Sequence, residues 1–537
     1  MTLTHRLSAV ASNSEFPNVQ TEGLSYELDD LEKKPTEDVK TIPYEYNSEE
    51  EHTHDAFVEE TQLGFFSRLI SSLNAEQKGI EPIEDEEKTD DSVINAASMW
   101  FSANMVIASY AMGGLGPLVY NLNFGTCVLV IVFFNILGIL PVAFFSLFGI
   151  EFGLRQMILS RFMIGNVTAR IFALINVIAC VGWVIVNTVA SAQLLNMVNA
   201  PHNCPLWAAC LVIIGGTVAV TFFGYKAIHK YEKWSWVTNF AVFLVIIARL
   251  KKSGNFSNGP WTSGPTTAGN VLSFGSAVFG YSTGWTTYAA DYTVYMPRSI
   301  NKFKVFFCLL AGLAFPLFFT MIIGAAVANG AVNNKEWNDY YQQNSMGGVT
   351  YAVLVPNSLH GFGQFCCVLL AMSTIANNVP NMYSIALSAQ ALWAPFAKVP
   401  RAVWTVAGNA AALGIGIPAC YYFEGFMEYF MNSIAYYLAI YSALAIPEHY
   451  IFRKGFKGYQ PEYWNDWNHL PIGYAGTTAF IVGCFGVALG MDQTYWVGEI
   501  GRLIGADGGD IGFELGAAWA TLVYIILRPL EIKYAGR

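Results

Sequence analysis

From Trp100 onward, long apolar runs alternate with short polar breaks. Each run is close to the roughly 20 residues that a helix needs to cross a bilayer. Twelve spans are predicted, at 98–121, 125–149, 166–198, 206–224, 234–250, 269–293, 303–331, 359–393, 401–420, 426–447, 471–491 and 509–527. Only helices and closed barrels satisfy their own backbone in lipid, so these runs are read as helices. Residues 1–60 lack such a pattern and, being rich in Glu, Asp, Ser, Thr and Asn, are expected to be disordered. Between the two regions, Leu63, Phe66, Leu69, Ile70 and Leu73 recur at helical spacing and predict an amphipathic helix near 62–74.

Composition agrees: 54% of the 537 residues are hydrophobic and 13% charged, about half the charge of a soluble chain. The net charge of -10 is unevenly placed, since residues 1–95 hold 23 acidic and 7 basic residues and the remainder 16 and 22. An acidic tail on a weakly basic membrane body excludes a nucleic-acid binder, which needs a basic patch. Nine cysteines without C-x-x-C spacing predict neither a disulfide framework nor a zinc site. The stretch Met1 to Phe16 has no apolar core of a cleavable signal, so an internal span is expected to direct insertion. With the tail in the cytosol, the cytosolic loops carry Arg155 and Arg161, Lys226, Lys230 and Lys233, Arg298, Lys302 and Lys304, Lys398 and Arg401, and Arg453, Lys454 and Lys457. The opposite loops are poor in them apart from Arg249, Lys251 and Lys252, so both termini are expected to be cytosolic.

Two spans are poor continuous helices. Segment 1 contains Gly113, Gly114, Gly116 and Pro117, and segment 6 contains Gly275, Gly280 and Gly284. Interrupted spans in corresponding positions of two halves point to an inverted-repeat transporter with its substrate at the breaks. Segment 8 adds Asn377, Asn378, Pro380 and Asn381, three amides around a proline in mid-membrane, which are costly unless partnered. Trp100, Trp207, Trp234, Trp236, Trp393 and Trp404 fall at span ends, as an aromatic belt would. Trp183 lies mid-span instead, with Asn187 one turn later on the same face, and Trp285 follows Gly284. Two indoles and several amides without a full charge suit a neutral, flat, hydrogen-bonding solute.

The stretches Val106 to Tyr110, Cys180 to Asn187, Tyr231 to Trp236, Gly284 to Tyr292 and Ile375 to Asn381 resemble the fungal purine-cytosine permeases of the nucleobase-cation-symport-1 family. The resemblance runs from about residue 73 and includes the closing Arg528 to Glu531. It implies an all-α polytopic membrane protein of 12 transmembrane helices, a LeuT-type 5+5 inverted repeat plus two C-terminal helices. The chain then divides into the cytosolic tail 1–95, a transport core 96–450 with segments 1–10, and 451–537 with segments 11 and 12. The resemblance further implies import of adenine, guanine, hypoxanthine and cytosine with protons across the plasma membrane, without a cofactor. It stacks the base between Trp183 and Trp285, puts polar contacts at Ser109, Asn187 and Asn381, and has Asn377, Asn378 and Pro380 affect recognition. Sodium-coupled bacterial relatives place Ser-Thr directly before the first Asn of the segment 8 motif, whereas here Ile375 and Ala376 stand there and Ser373 and Thr374 come two residues earlier. A hard cation needs oxygen ligands, so proton coupling is favoured, with Asp291 and Glu232 as candidate carriers.

Adenine and cytosine both present an amino donor beside a ring-nitrogen acceptor, an edge that an Asn amide matches. Asn187 and Asn381 are expected to supply it, with a flipped amide serving hypoxanthine. The rival readings are a related permease for uracil, allantoin or a B6 vitamer, and a nutrient receptor that does not transport. An enzyme is not expected, since no nucleophile with a base, metal-ligand cluster or phosphate loop is found. Lys33, Lys34 and Lys40 in the tail are candidate ubiquitin acceptors.

Overall fold

The structure, a computed structural model, describes residues 79–198, 203–222 and 225–537, with the side chains of 96, 222 and 225–233 left out of that description. The expected helix at 62–74, the tail lysines and the Glu232 side chain lie outside the described residues. The apolar runs form helices close to their predicted limits. In chain order these are α1 (Val93–Asn104) and α2 (Ile107–Leu118), α3 (Phe124–Phe152), α4 (Gln156–Ile164), α5 (Asn166–Met197), α6 (Leu206–Phe222), α7 (Tyr225–Ser253) and α8 (Pro265–Thr283). A 3-10 turn, Thr286–Tyr292, follows α8. Then come α9 (Lys302–Asn333), α10 (Lys335–Leu354), α11 (Gly361–Met372), α12 (Ile375–Leu392), α13 (Arg401–Ala419), α14 (Phe423–Pro447), α15 (Tyr474–Gly490) and α16 (Gly512–Ala535). Eight helical stretches among the described residues are long and apolar enough to cross a membrane, and Leu206–Thr221 and Tyr474–Gly490 are shorter apolar helices. The first, sixth and eighth predicted spans are split. Helices α4 and α10 were not anticipated, because neither belongs to an apolar run of spanning length.

The helices pack in two groups. Helices α2 and α3 pack on each other and on both α8 and α9, while α5, α6, α12 and α13 all pack on one another. Helix α14 joins α8 to α16, and α15 packs on α16. The glycines of segment 1 do not mark its break. A Cβ on Gly113 would collide with the Met321 carbonyl of α9, and one on Gly324 of α9 with the Tyr110 carbonyl of α2. They let two backbones touch, the role of small residues where lipid supplies no hydrophobic drive. Gly324→Val should therefore prevent assembly, read as loss of mature protein at the cell surface; normal surface expression would refute this close approach.

The segment 1 interruption lies upstream, at Met105 and Val106 between α1 and α2. It frees backbone groups that lipid cannot satisfy, and distant side chains take them. Asn377 Nδ2 donates to the Ala103 carbonyl at 2.6 Å, and the Ile107 amide donates to Ser373 Oγ at 3.1 Å. Segment 6 does break at Gly284, whereas Gly275 and Gly280 sit inside continuous α8 against Phe134 and the Met431 carbonyl. In segment 8 the irregular turn is at Ser373 and Thr374, with Pro380 inside α12.

A buried polar knot closes the end of α14. Arg528 of α16 grips Glu448 with two 3.0 Å bonds, Arg453 adds another at 3.0 Å, and the Tyr524 hydroxyl donates at 3.1 Å. Glu531 accepts from the Gly473, Tyr474 and Ala475 amides at 2.7, 3.0 and 3.2 Å, satisfying the orphan donors at the start of α15. The closing Arg528 to Glu531 motif thus ties the last two helices to α14.

Candidate functional site

The two breaks and the amide motif of α12 meet around a pair of indoles. Trp183 from the middle of α5 and Trp285 from the segment 6 break are both 3% exposed. Their ring centroids lie 6.5 Å apart with the planes 12° from parallel. Carbon faces in contact sit about 3.5 Å apart, so the pair is only slightly closer than two stacked layers require. Gly284 makes this possible, since a Cβ there would run into the Trp183 ring. Each indole is braced edge-on. Tyr281 and Phe430 pack on Trp183 at 5.2 and 5.5 Å, and Trp100 and Tyr288 on Trp285 at 4.8 and 5.6 Å. Trp285 Nε1 also donates to Asn104 Oδ1 at 3.3 Å. Trp100, expected in the membrane belt, is fully buried here; the exposed Trp207, Trp234 and Trp393 fit the belt.

Beside the indoles runs a chain of amides whose orientation is set by backbone carbonyls, which can only accept. The Ala103 carbonyl takes the NH2 of Asn377, so Asn377 Oδ1 turns toward Asn187 and receives its Nδ2 at 2.8 Å. The Thr217 hydroxyl donates to the Ile213 carbonyl at 2.9 Å and accepts Asn378 Nδ2 at 3.2 Å, leaving Asn378 Oδ1 to accept Asn187 Nδ2 at 3.0 Å. Asn187 is therefore fixed twice over. Its NH2 is spent, and its fully buried Oδ1 has no partner among the described residues. Trp183 Nε1 is a second buried orphan there. Asn381 has no such freedom, because its Nδ2 donates to the Asn377 carbonyl at 2.8 Å and its Oδ1 accepts the Tyr288 hydroxyl at 2.9 Å. The expected flipped amide is thus corrected. Turning Asn187 would face oxygen against the oxygens of Asn377 and Asn378, and turning Asn381 would face its oxygen against the Asn377 carbonyl.

The remaining predicted residues are close by but differently engaged. Ser109, just past the segment 1 break, shares a 2.7 Å hydrogen bond with the Tyr281 hydroxyl. The Pro380 carbonyl accepts the Tyr292 hydroxyl at 3.0 Å. Asp291 is buried, and its Oδ1 accepts the Gln156 amide at 2.7 Å at the start of α4, while Arg155 donates to its carbonyl at 2.9 Å. These two bonds pin the segment 6 turn to the start of α4.

The model of permeases for cytosine/purines, uracil, thiamine and allantoin matches residues 82–498. The chain belongs to this permease family. It is 67% identical over 525 residues to purine-cytosine permease FCY2 of Saccharomyces cerevisiae, covering 95% of this chain and 98% of that one. It is 48% identical to purine-cytosine permease fcyB of Emericella nidulans, covering 88% and 91%. Among solved structures it resembles the inward-facing conformation of Mhp1, with TM-score 0.63 at 14% identity, covering 86% of this chain and 96% of that one. Mhp1, a nucleobase-cation-symport-1 transporter, was also solved closed with bromovinylhydantoin bound, and matches with TM-score 0.62. The fold is therefore of the LeuT type, and the protein is a multi-pass membrane transporter, not an enzyme. In this permease the residues that sequence reasoning missed are Trp100, Asn104, Thr217, Tyr281 and Tyr288. Tyr281 and Tyr288 flank Trp285 at helical spacing in segment 6, which was a usable signal. Asn104 and Trp100 had none, because the break after them has no glycine or proline.

Proposed function

We propose that this permease imports adenine, guanine, hypoxanthine and cytosine by proton symport across the plasma membrane, with both termini in the cytosol. The observation that carries this reading is the near-parallel Trp183 and Trp285 pair with the unpartnered Asn187 Oδ1 beside it. A flat base entering between the indoles gains two stacked faces, each worth about 1 to 3 kcal/mol. Asn187 Oδ1 then asks for one N–H. The amino groups of adenine, guanine and cytosine and the ring N–H of hypoxanthine all supply it, which accounts for breadth without a movable amide. Asn381 acts through Tyr288, holding the turn that carries Trp285. Identity favours these substrates over a B6 vitamer, since the vitamin B6 transporter TPN1 of Saccharomyces cerevisiae is 28% identical.

Proton rather than sodium coupling is supported by where the segment 8 hydroxyls go. Ser373 is bound by the Ile107 amide and Thr374 shares a 2.7 Å bond with Ser191, while Ile375 and Ala376 offer no side-chain oxygen. Ubiquitin ligation at Lys33, Lys34 or Lys40 is the tail function we retain from the sequence. Uptake of radiolabelled cytosine and adenine into permease-deficient yeast tests the whole reading. Accumulation should rise on external acidification, collapse with a protonophore and ignore removal of sodium. Binding of bases without uptake would identify a receptor, preference for uracil or pyridoxine would reassign the substrate, and loss of uptake without sodium would overturn the coupling.

A further inference from the structure

The outer half of α14 reaches over the aromatic pair. Phe430 packs on Trp183, and a Cβ on Gly182 would strike its ring. Two residues outward, on the other side of that stretch, Glu428 accepts the hydroxyl of Tyr120, just past the end of α2, at 3.0 Å. Other carboxylates in this region are better supplied with donors. Asp510 takes Gln493 Nε2 at 2.7 Å, the Gly512 amide at 2.9 Å and the Asp492 amide at 3.1 Å, besides the Tyr436 hydroxyl. One turn inward from Glu428, Asn432 is fully buried, turns its NH2 toward the same Tyr120 hydroxyl, and has an Oδ1 with no partner among the described residues. Residues four apart on a helix face one another, so Asn432 Oδ1 is within reach as an acceptor for an O–H on Glu428. A buried amide oxygen left unpaired is costly; a protonated Glu428 would remove that cost while keeping the Tyr120 bond.

We propose that Glu428 is an outer proton-binding site, where a proton from the external solution joins the carboxylate and lets α14 settle over the bound base. This rests on the nucleobase reading above but not on Asp291 or Glu232 as carriers. The proton forms an O–H bond on one Glu428 oxygen and gives it a donor for Asn432, while the other oxygen keeps Tyr120. The stretch of α14 carrying Phe430 and the segment just past the end of α2 are then joined by a neutral bonded triad. The other titratable groups acting on Glu428 are Glu424 one turn outward on α14 and Asp492 and Asp510 from the connection between α15 and α16. Tyr341 of α10 faces Glu424.

The test is the apparent Km for cytosine against external pH, at matched surface expression, for the wild type, Glu428→Gln, Tyr120→Phe and Asp291→Asn. Linked binding of one proton lowers Km by up to about ten-fold per pH unit. The wild type should follow that slope, Asp291→Asn should keep it, and Glu428→Gln, a neutral isostere, should hold a low Km throughout. Tyr120→Phe removes the donor that favours the anion, so its midpoint should move upward by about one pH unit. This variant decides the matter if Glu428→Gln fails to reach the surface. A wild-type slope retained in Glu428→Gln, an unmoved midpoint in Tyr120→Phe, or a pH-independent wild-type Km overturns the site. None of these touches the substrate reading, which falls only if the wild type takes up no base.

Discussion

Trp285→Ala should raise the apparent Km for cytosine and adenine by at least about ten-fold, with Trp183→Ala close behind. Either change deletes one face of the sandwich, worth about 1 to 3 kcal/mol per base. Trp285 should be the more sensitive, because it also anchors to Asn104 Oδ1 and carries the edges of Trp100 and Tyr288. Trp285→Phe keeps a face but loses the Asn104 bond, and its effect should be intermediate. Uptake kinetics at equal surface expression measure this. Unchanged affinity in both alanine variants would remove the sandwich from consideration.

A still larger loss is expected for Asn377→Asp. Asn377 donates to the Ala103 carbonyl in the segment 1 break and accepts from Asn187 and Asn381. A carboxylate turns the first contact into two acceptors face to face. Losing the bond and opposing two buried oxygens costs about 1 to 3 kcal/mol for each group left unpaired, so initial uptake should fall about a hundred-fold. Asn378→Asp is the control with a built-in escape. The Thr217 hydroxyl can rotate from the Ile213 carbonyl to donate to the new oxygen, so this loss should be several-fold smaller. Equal losses in the two variants would show that the carbonyls do not set the direction of the amide chain.

Spans and aromatic pair were legible in the sequence because each rests on a local signal. A run of about 20 apolar residues has few alternatives in a bilayer, and a tryptophan in mid-span stands apart from the belt. The break in segment 1 was not legible. Met105 and Val106 carry no helix-breaking residue; what stabilises the gap is Asn377 and Ser373, more than 260 residues away. The glycines that drew attention instead serve helix contacts, Gly113 with α9, Gly114 with α10 and Gly116 with α3 and α8, and Pro117 lies in the last turn of α2. Trp100 was misread for the same reason, since its place beside Trp285 depends on that hidden gap. The need for polar partners at Asn377, Asn378 and Asn381 could be inferred from burial, but the direction of their bonds depends on which carbonyls face them, and that is tertiary information.

The grip of Arg528 on Glu448 bears on how the permease is made. The arginine is synthesised 80 residues after the acid, an interval of roughly 4 to 16 seconds at ordinary translation rates. Through that interval the carboxylate at the end of α14 has Arg453 but lacks both Arg528 and Tyr524. Removing a partner from a buried ion pair typically costs 3–5 kcal/mol, so a nascent chain without α16 keeps an exposed polar fault at the membrane. Arrival of α16 repairs it, and Glu531 fastens α15 in the same step. The end of α14 therefore reaches its full set of partners only after α16 has been made.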